Sequence, residues 1–157
     1  MENTFVNLAK PISIKEIEEI ENYIGGELPQ DFKNHYLKFN GGFPINDRYY
    51  MENYDTYTSV NGFIPMKYHY DNNENWTLEE TYNHFNKQGF LPSHLIAFAS
   101  DYGGNKFCID LNSENIFLVY MDLGNPIENS NAIRKISDNF KSFLDNLEEE
   151  DDDDDDV

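Results

Sequence analysis

The sequence has 157 residues, of which 15% are aromatic, 30 are acidic and 11 are basic, giving a formal net charge of −19. The length suits one domain, and the aromatic content excludes a wholly disordered chain. The charge disfavours binding to nucleic acids and to anionic lipids, because both require clustered Lys and Arg.

The use of cysteine and the first residues of the chain predict a cytoplasmic protein. Cys108 is the single cysteine, so no disulfide can form within the chain. The opening residues are acidic and lack the basic-then-apolar order of a secretory signal. No apolar run approaches the ~18 residues of a membrane span, so we expect no membrane partner.

Two helices are predicted in the first forty residues. Residues 13–24 open with a capping box, Ser13 and Glu16, and end before Gly25. Isoleucines spaced by three and four give this helix one apolar stripe: Ile14, Ile17, Ile20 and Ile24. Pro29 suits the first position of a second helix, which we expect to continue to about Phe39.

Residues 43–76 are rich in tyrosine and acidic residues and contain one recognisable strand, residues 62–66. A third helix is predicted from Thr77, since Glu80 completes a second capping box. Three apolar strands then follow at residues 95–99, 107–111 and 117–121. Their short turns predict an antiparallel meander.

A final helix is predicted behind an N-cap at Ser137, with Phe140 and Phe143 facing inward. The predicted fold class is therefore α+β: a single domain with a mainly antiparallel meander sheet and about four helices. We place this domain at residues 1–147. Residues 148–157 contain nine consecutive acidic residues, and like-charge repulsion predicts a disordered tail.

Candidate catalytic and metal-binding groups are sparse. The four histidines are scattered and form no zinc-ligand pattern, so we expect no metal and no cofactor. Cys108 lies between apolar residues of a predicted strand, where an inert packing role is expected. A small hydrolase is the alternative, and it would require two histidines and a carboxylate to converge in one pocket.

Two segments resemble the SUKH superfamily (Smi–Knr family). Residues 28–42 run from Leu-Pro through an aromatic helix to Asn-Gly-Gly, after the amphipathic helix at 13–24. Residues 96–111 contain an apolar strand, a turn with Gly103-Gly104 and a second strand ending in Asp-Leu. The order and spacing of these segments are similar to those of the family across most of residues 13–147.

The resemblance implies a non-enzymatic binding protein. Bacterial members of the superfamily are typically immunity proteins that neutralise a cognate polymorphic toxin, whereas fungal relatives act in cell-wall signalling. We therefore expect a toxin partner, and the acidic charge favours a basic one such as a nuclease. A non-catalytic regulatory or scaffold module is the alternative, and the oligomeric state is left open.

Tyrosines within an acidic field are the residues expected to anchor such a partner, because aromatic side chains dominate binding energy at protein interfaces. The alternative is that individual rings pack onto the sheet while only the acids face water. The candidate partner-binding residues are Asp47, Tyr49, Tyr50, Glu52, Tyr54, Asp55, Tyr68, Tyr70, Asp71, Glu74 and Trp76.

Overall fold

A computed structural model describes residues 3–70 and 75–150 of the chain. Within these residues, six antiparallel strands form the main sheet, and four α-helices pack around it. The helices are α1 (Ile14–Ile24), α2 (Gln30–Lys38), α3 (Leu78–Phe85) and α4 (Phe140–Asp145). The strands of the main sheet are β3 (Arg48–Met51), β4 (Thr56–Phe63), β5 (Leu95–Asp101), β6 (Lys106–Asp110), β7 (Ile116–Val119) and β8 (Ile133–Ser137). β1 (Phe5–Val6) and β2 (Phe43–Pro44) pair separately. These elements confirm the predicted α+β fold.

Each strand of the main sheet pairs with its neighbour in the chain, giving the order β3-β4-β5-β6-β7-β8. The predicted three-stranded meander is the centre of this sheet, β5 to β7. The strand expected at residues 62–66 is wrong in its bounds, because β4 ends at Phe63, before Pro65. β3 and β8 are strands that the sequence did not reveal.

Local capping rules place the starts of α1 and α3 correctly, whereas Pro29, expected at the first helical position, is the residue before α2, which begins at Gln30. The Ser13–Glu16 box at α1 and the Thr77–Glu80 box at α3 both form. The predicted cap of the last helix is wrong: Ser137 ends β8, and Asn139 caps α4 by accepting a hydrogen bond from the Ser142 amide at 2.8 Å. None of the helices in the described residues is long and apolar enough to cross a bilayer.

Buried side chains of all four helices contribute to the core, and its main cluster of phenylalanines lies between one face of the sheet and the helices α2 and α4. Phe63 and Phe98 of the sheet pack against Phe140 of α4, with ring centroids 6.4 and 5.4 Å away. Phe32 of α2 closes this cluster at 4.8 Å from Phe140. Ile14, predicted in the apolar stripe of α1, is instead 63% exposed at the first position of the helix.

The sheet is strongly curved, and its first and last strands approach one another. The hydroxyl of Tyr49 in β3 donates to the carbonyl of Ile136 in β8 at 2.7 Å. The Tyr49 ring lies 5.0 Å from Phe143 of α4, which places this ring on the core face. Since side chains alternate along a strand, Arg48 and Tyr50 project from the opposite face.

The chain after α4 returns to the free edge of β3. The Glu148 amide donates to the Arg48 carbonyl at 2.7 Å, and the Arg48 amide donates back to Glu148 at 3.1 Å. The first residue of the predicted tail therefore pairs with the sheet. Residues 151–157 lie outside the described residues, and the disorder expected there stays a prediction.

Candidate protein-binding surface

The candidate residues fall into two separate groups. One group surrounds the β3–β4 hairpin and contains Asp47, Tyr49, Tyr50, Glu52, Tyr54 and Asp55. The other lies on the segment between β4 and α3, and its described members are Tyr68, Tyr70 and Trp76. Asp71 and Glu74 lie outside the described residues.

The β3–β4 hairpin presents a cross-strand pair of tyrosines on the face opposite α4. Tyr50 is directly opposite Tyr57, and their ring centroids are 5.0 Å apart. The Tyr50 hydroxyl donates to the Asp55 carboxylate, and this hydrogen bond raises the pKa of Tyr50. The guanidinium carbon of Arg48 lies 3.7 Å from the centroid of Tyr57. Tyr50 is therefore held by a hydrogen bond to a carboxylate, and Tyr57 by the attraction between its ring face and a guanidinium cation.

Two further tyrosines extend this surface at its borders. Tyr54, at the hairpin tip, lies at the edge toward α4, where it lines a cleft with Tyr49 and Ser142, and the Arg134 guanidinium carbon is 4.6 Å from its ring centroid. Tyr102, in the β5–β6 turn, is 67% exposed and donates to the Asp47 carboxylate at 3.1 Å. We call this set the hairpin surface: Asp47, Arg48, Tyr50, Tyr54, Asp55, Tyr57 and Tyr102.

Sequence reasoning both missed and misplaced residues of the hairpin surface. Tyr102 is separated from Asp47 by 55 positions, so no local pattern connects them. The sequence did not distinguish Tyr57 from the other tyrosines of this region. The prediction for Tyr49 requires correction: its ring is buried against α4, and it is not available to a partner. Glu52 is exposed at the hairpin tip, beside the surface.

Tyr68 of the second group is engaged within the protein. Its hydroxyl donates to the Glu16 carboxylate. The same carboxylate forms an ion pair with Lys67 Nζ at 2.8 Å. The hydrogen bonds from Lys67 and Tyr68 lower the pKa of Glu16 to about 2. These contacts attach the segment after β4 to the start of α1, so the Tyr68 hydroxyl has a structural partner.

Tyr70 and Trp76 line a cleft on the same segment. The Tyr70 hydroxyl donates to the Phe63 carbonyl at 2.6 Å and accepts from the Gly42 amide at 2.7 Å. Burial raises the pKa of Tyr70. Trp76 is 46% exposed, and its ring centroid lies 4.4 Å from that of His84.

The histidines occupy different surroundings. His35 is buried beside Phe5 and Phe63 in the core, whereas His69 contacts Glu80 and His84 contacts Trp76. His94 lies at another cleft, near the end of α1. In the described part of the chain, no three His, Cys, Asp or Glu side chains are grouped so as to hold a metal ion.

Cys108 is fully buried in β6, and burial raises the pKa of its thiol to about 12. The thiolate is the reactive form of cysteine, so this side chain is unreactive in the native protein. Its position agrees with the packing role expected from the sequence.

A sequence profile described as the SMI1 / KNR4 family (SUKH-1) matches residues 11–146, most of the chain. The chain belongs to this family. The chain is also similar to a Bacillus subtilis (strain 168) protein described as "SPbeta prophage-derived uncharacterized protein YokK", with 24% identity over 129 residues. The match covers 71% of this chain and 64% of the relative, so it spans less than two thirds of the relative's length.

Within the SMI1 / KNR4 family, the elements that bear the resemblance are those that build the core. The residue 28–42 segment is α2 with its flanking turns, and the residue 96–111 segment is the β5–β6 hairpin. The hairpin surface lies largely outside both segments. Family membership therefore establishes the scaffold.

Proposed function

We propose that this SMI1 / KNR4 family member is a cytoplasmic immunity protein that binds a cognate toxin and neutralises it without catalysing a reaction. The observation that carries this proposal is the hairpin surface, where tyrosines project from the sheet beside carboxylates and guanidinium groups. Bacterial relatives with this fold are typically immunity proteins, and the similar Bacillus subtilis protein is described as prophage-derived.

The ordered geometry of the hairpin surface supports binding to a protein. Tyrosine combines a large apolar ring with a polar hydroxyl, which is why it is enriched among residues that dominate interface energy. Tyr50 and Tyr102 are already fixed by Asp55 and Asp47. Rings that are held in place before binding lose less conformational entropy when a partner arrives.

The charge of the chain favours a basic partner. After the nine consecutive acids at residues 148–156 are set aside, 21 acidic residues remain against 11 basic ones, a balance of −10. Such a surface attracts cationic proteins and accelerates their association. A nuclease is a suitable toxin, because it must present cationic groups to its own substrate. Colicin nuclease–immunity pairs are among the tightest known complexes, with Kd of roughly 10⁻¹³–10⁻¹⁶ M.

Coexpression with a candidate toxin tests the proposal. Each candidate toxic domain is expressed with and without the chain, beginning with any encoded by a neighbouring gene, and cell survival and co-purification are scored. We expect survival and a stable complex with the wild-type chain. Toxicity that persists despite soluble expression of the chain, with no complex recovered, would contradict the immunity role.

Variants of the hairpin surface separate this interface from others. The double substitution Tyr50→Ala/Tyr57→Ala is expected to reduce protection, whereas Tyr23→Ala, at an exposed tyrosine of α1, provides the matched control. A chain that instead binds a host regulatory protein, with no toxin gene beside its own, would support the regulatory or scaffold alternative.

A further inference from the structure

A cleft of about 270 Å³ opens between β4, β5 and α3 and combines aromatic walls with a cationic floor. Its aromatic lining residues are Phe43, Phe63, Tyr70, Trp76 and Phe85. Its polar lining includes Asn61, Thr81, Ser100 and Lys106. This combination suits a ligand that presents an apolar group next to a negative charge.

Lys106 supplies the charge at the floor of this cleft. Its Nζ donates to Ser100 Oγ at 2.8 Å, so one of its three N–H groups has an identified acceptor. No carboxylate in residues 3–70 and 75–150 lies within 4 Å of it, and Asp101 attracts it only from a longer distance, whereas Lys33, Lys67, Lys135 and Lys141 each form a direct ion pair. Burial lowers the pKa of Lys106. A half-buried ammonium with a single hydroxyl acceptor among the described residues is stabilised by an incoming anion.

The aromatic walls of the cleft are fixed by contacts within the protein. Phe43 stacks on Tyr70 with centroids 5.7 Å apart, and Tyr70 is held through both sides of its hydroxyl. Gly62 allows this arrangement, since a Cβ there would lie 2.7 Å from the Phe43 ring. The Trp76 centroid lies 6.3 Å from that of Phe85 on the α3 side. The cleft is therefore formed before any ligand enters.

Strand pairing places the cleft on the same face of the sheet as the hairpin surface. Gly62 pairs with Ser100 and Ser100 with Lys106, so these three residues share a face. Their neighbour Phe63 points to the α4 side, as does Tyr49 in β3. The cleft and the Tyr50–Tyr57 pair therefore both lie opposite α4. A protein that binds the hairpin surface approaches the sheet from the side on which the cleft opens.

We propose that this cleft receives an acidic anchor residue of the bound protein: an Asp or Glu carboxylate that pairs with Lys106, with an adjacent apolar side chain against Trp76 and Phe85. This inference rests on the proposed function. In a basic partner drawn to an acidic surface, a single reversed charge pair fixes the orientation of docking and discriminates against other basic proteins.

Binding of the toxin by charge-matched variants tests the anchor. Lys106→Met removes the cation while keeping a long side chain, and Lys15→Met on the exposed face of α1 makes the same change in net charge. We expect Lys106→Met to weaken binding about tenfold or more, mainly through faster dissociation, and Lys15→Met to leave the dissociation rate unchanged. Equal affinity of folded Lys106→Met and wild type would overturn the anchor while leaving the immunity role intact.

A small-molecule titration tests the chemistry of the cleft independently of the toxin. Trp76 is the only tryptophan, so its fluorescence reports on this cleft directly. We expect wild type to bind 3-phenylpropionate with millimolar Kd and 3-phenylpropanamide more weakly, a preference that Lys106→Met abolishes. Equal binding of acid and amide would contradict the role of Lys106. Micromolar or tighter binding of the acid would show a metabolite site in place of a protein anchor.

Failure of the proposed function gives a different pattern. If the wild-type chain binds no toxin, both the immunity role and the protein anchor are refuted, whatever the result of the small-molecule titration. If the Lys106→Met variant binds the toxin as tightly as wild type does, only the proposed anchor at Lys106 is refuted.

Discussion

Removal of one buried hydroxyl, by Tyr36→Phe, should measurably destabilise the protein. Tyr36 lies in α2 and is fully buried, and its hydroxyl donates to the Ile64 carbonyl at 2.7 Å. Burial holds the pKa of Tyr36 well above its ordinary value, so the hydroxyl keeps its proton at any working pH. The bond connects α2 to the end of β4, beside the cleft.

The magnitude follows from the partners that remain after the substitution. The Phe98 carbonyl, 3.3 Å from the Tyr36 hydroxyl, also accepts from the Ile64 amide at 2.7 Å and stays satisfied. The Ile64 carbonyl has no other partner among the hydrogen bonds of the described residues. A buried acceptor left without a donor costs about 1–3 kcal/mol. For a chain of this size that corresponds to a fall in Tm of roughly 2–12 °C.

Urea unfolding followed by circular dichroism measures this loss. Tyr23→Phe is the matched control, because Tyr23 is exposed on α1 and its hydroxyl forms no hydrogen bond within the described residues. The control should change the free energy of unfolding by less than about 0.5 kcal/mol. Equal stability of Tyr36→Phe and Tyr23→Phe would refute the reasoning from the unsatisfied carbonyl.

Three further predictions concern charge, reactivity and packing. Because the pKa of Glu16 is lowered from 4.5 to about 2, its carboxylate stabilises the fold above pH 4.5, and this contribution is lost as the pH falls toward 2. Urea midpoints of Glu16→Gln and wild type should therefore differ at pH 7 and converge in acid; a gap that does not depend on pH would count against the prediction. Cys108, with its pKa raised to about 12, should resist iodoacetamide until the protein is unfolded, as mass spectrometry can determine, and rapid native alkylation would be inconsistent with its burial. Phe143→Ala should cost about 3–5 kcal/mol in urea unfolding, since the ring is fully buried against Phe98 and Phe107; a loss below about 1 kcal/mol would mean that the site is loosely packed.

Local signals in the sequence predicted the elements whose ends are set by local chemistry. The capping boxes at Ser13 and Thr77 fixed the starts of α1 and α3, because each box satisfies backbone donors within four residues. The β5–β6 turn was predicted from its local sequence in the same way. The Asp101 carboxylate accepts from the Gly103 and Asn105 amides at 2.9 and 2.8 Å, and Gly104 takes a positive φ of 88°.

Elements that depend on distant partners were missed. β3 and β8 are short and lie at the two edges of the sheet, so their polar, tyrosine- or lysine-containing sequences resemble loops. The continuation of β8 through Ser137 also moved the α4 cap to Asn139, although both residue types suit a cap. β4 contains an irregularity between Val60 and Gly62, which hides its alternation.

The candidate site was predictable in composition but incomplete in membership. The density of tyrosines and acids located the hairpin, yet Tyr49 is buried by Phe143 of α4, and Tyr102 reaches the hairpin only through Asp47, and both contacts join residues far apart in the sequence. No sequence pattern pointed to Lys106 as a binding residue, since it is a single lysine that follows a turn. Its significance comes from the aromatic side chains that three distant segments bring around it.

The most direct test of the central claim, that this chain acts by binding another protein through the hairpin surface, is a calorimetric titration of the purified toxic domain with purified variants. Wild type and Tyr23→Ala should bind with equal affinity and 1:1 stoichiometry, whereas Tyr50→Ala/Tyr57→Ala should lose at least about 2 kcal/mol of binding free energy. Unchanged affinity of the folded double variant would show that the partner binds elsewhere and would contradict the account.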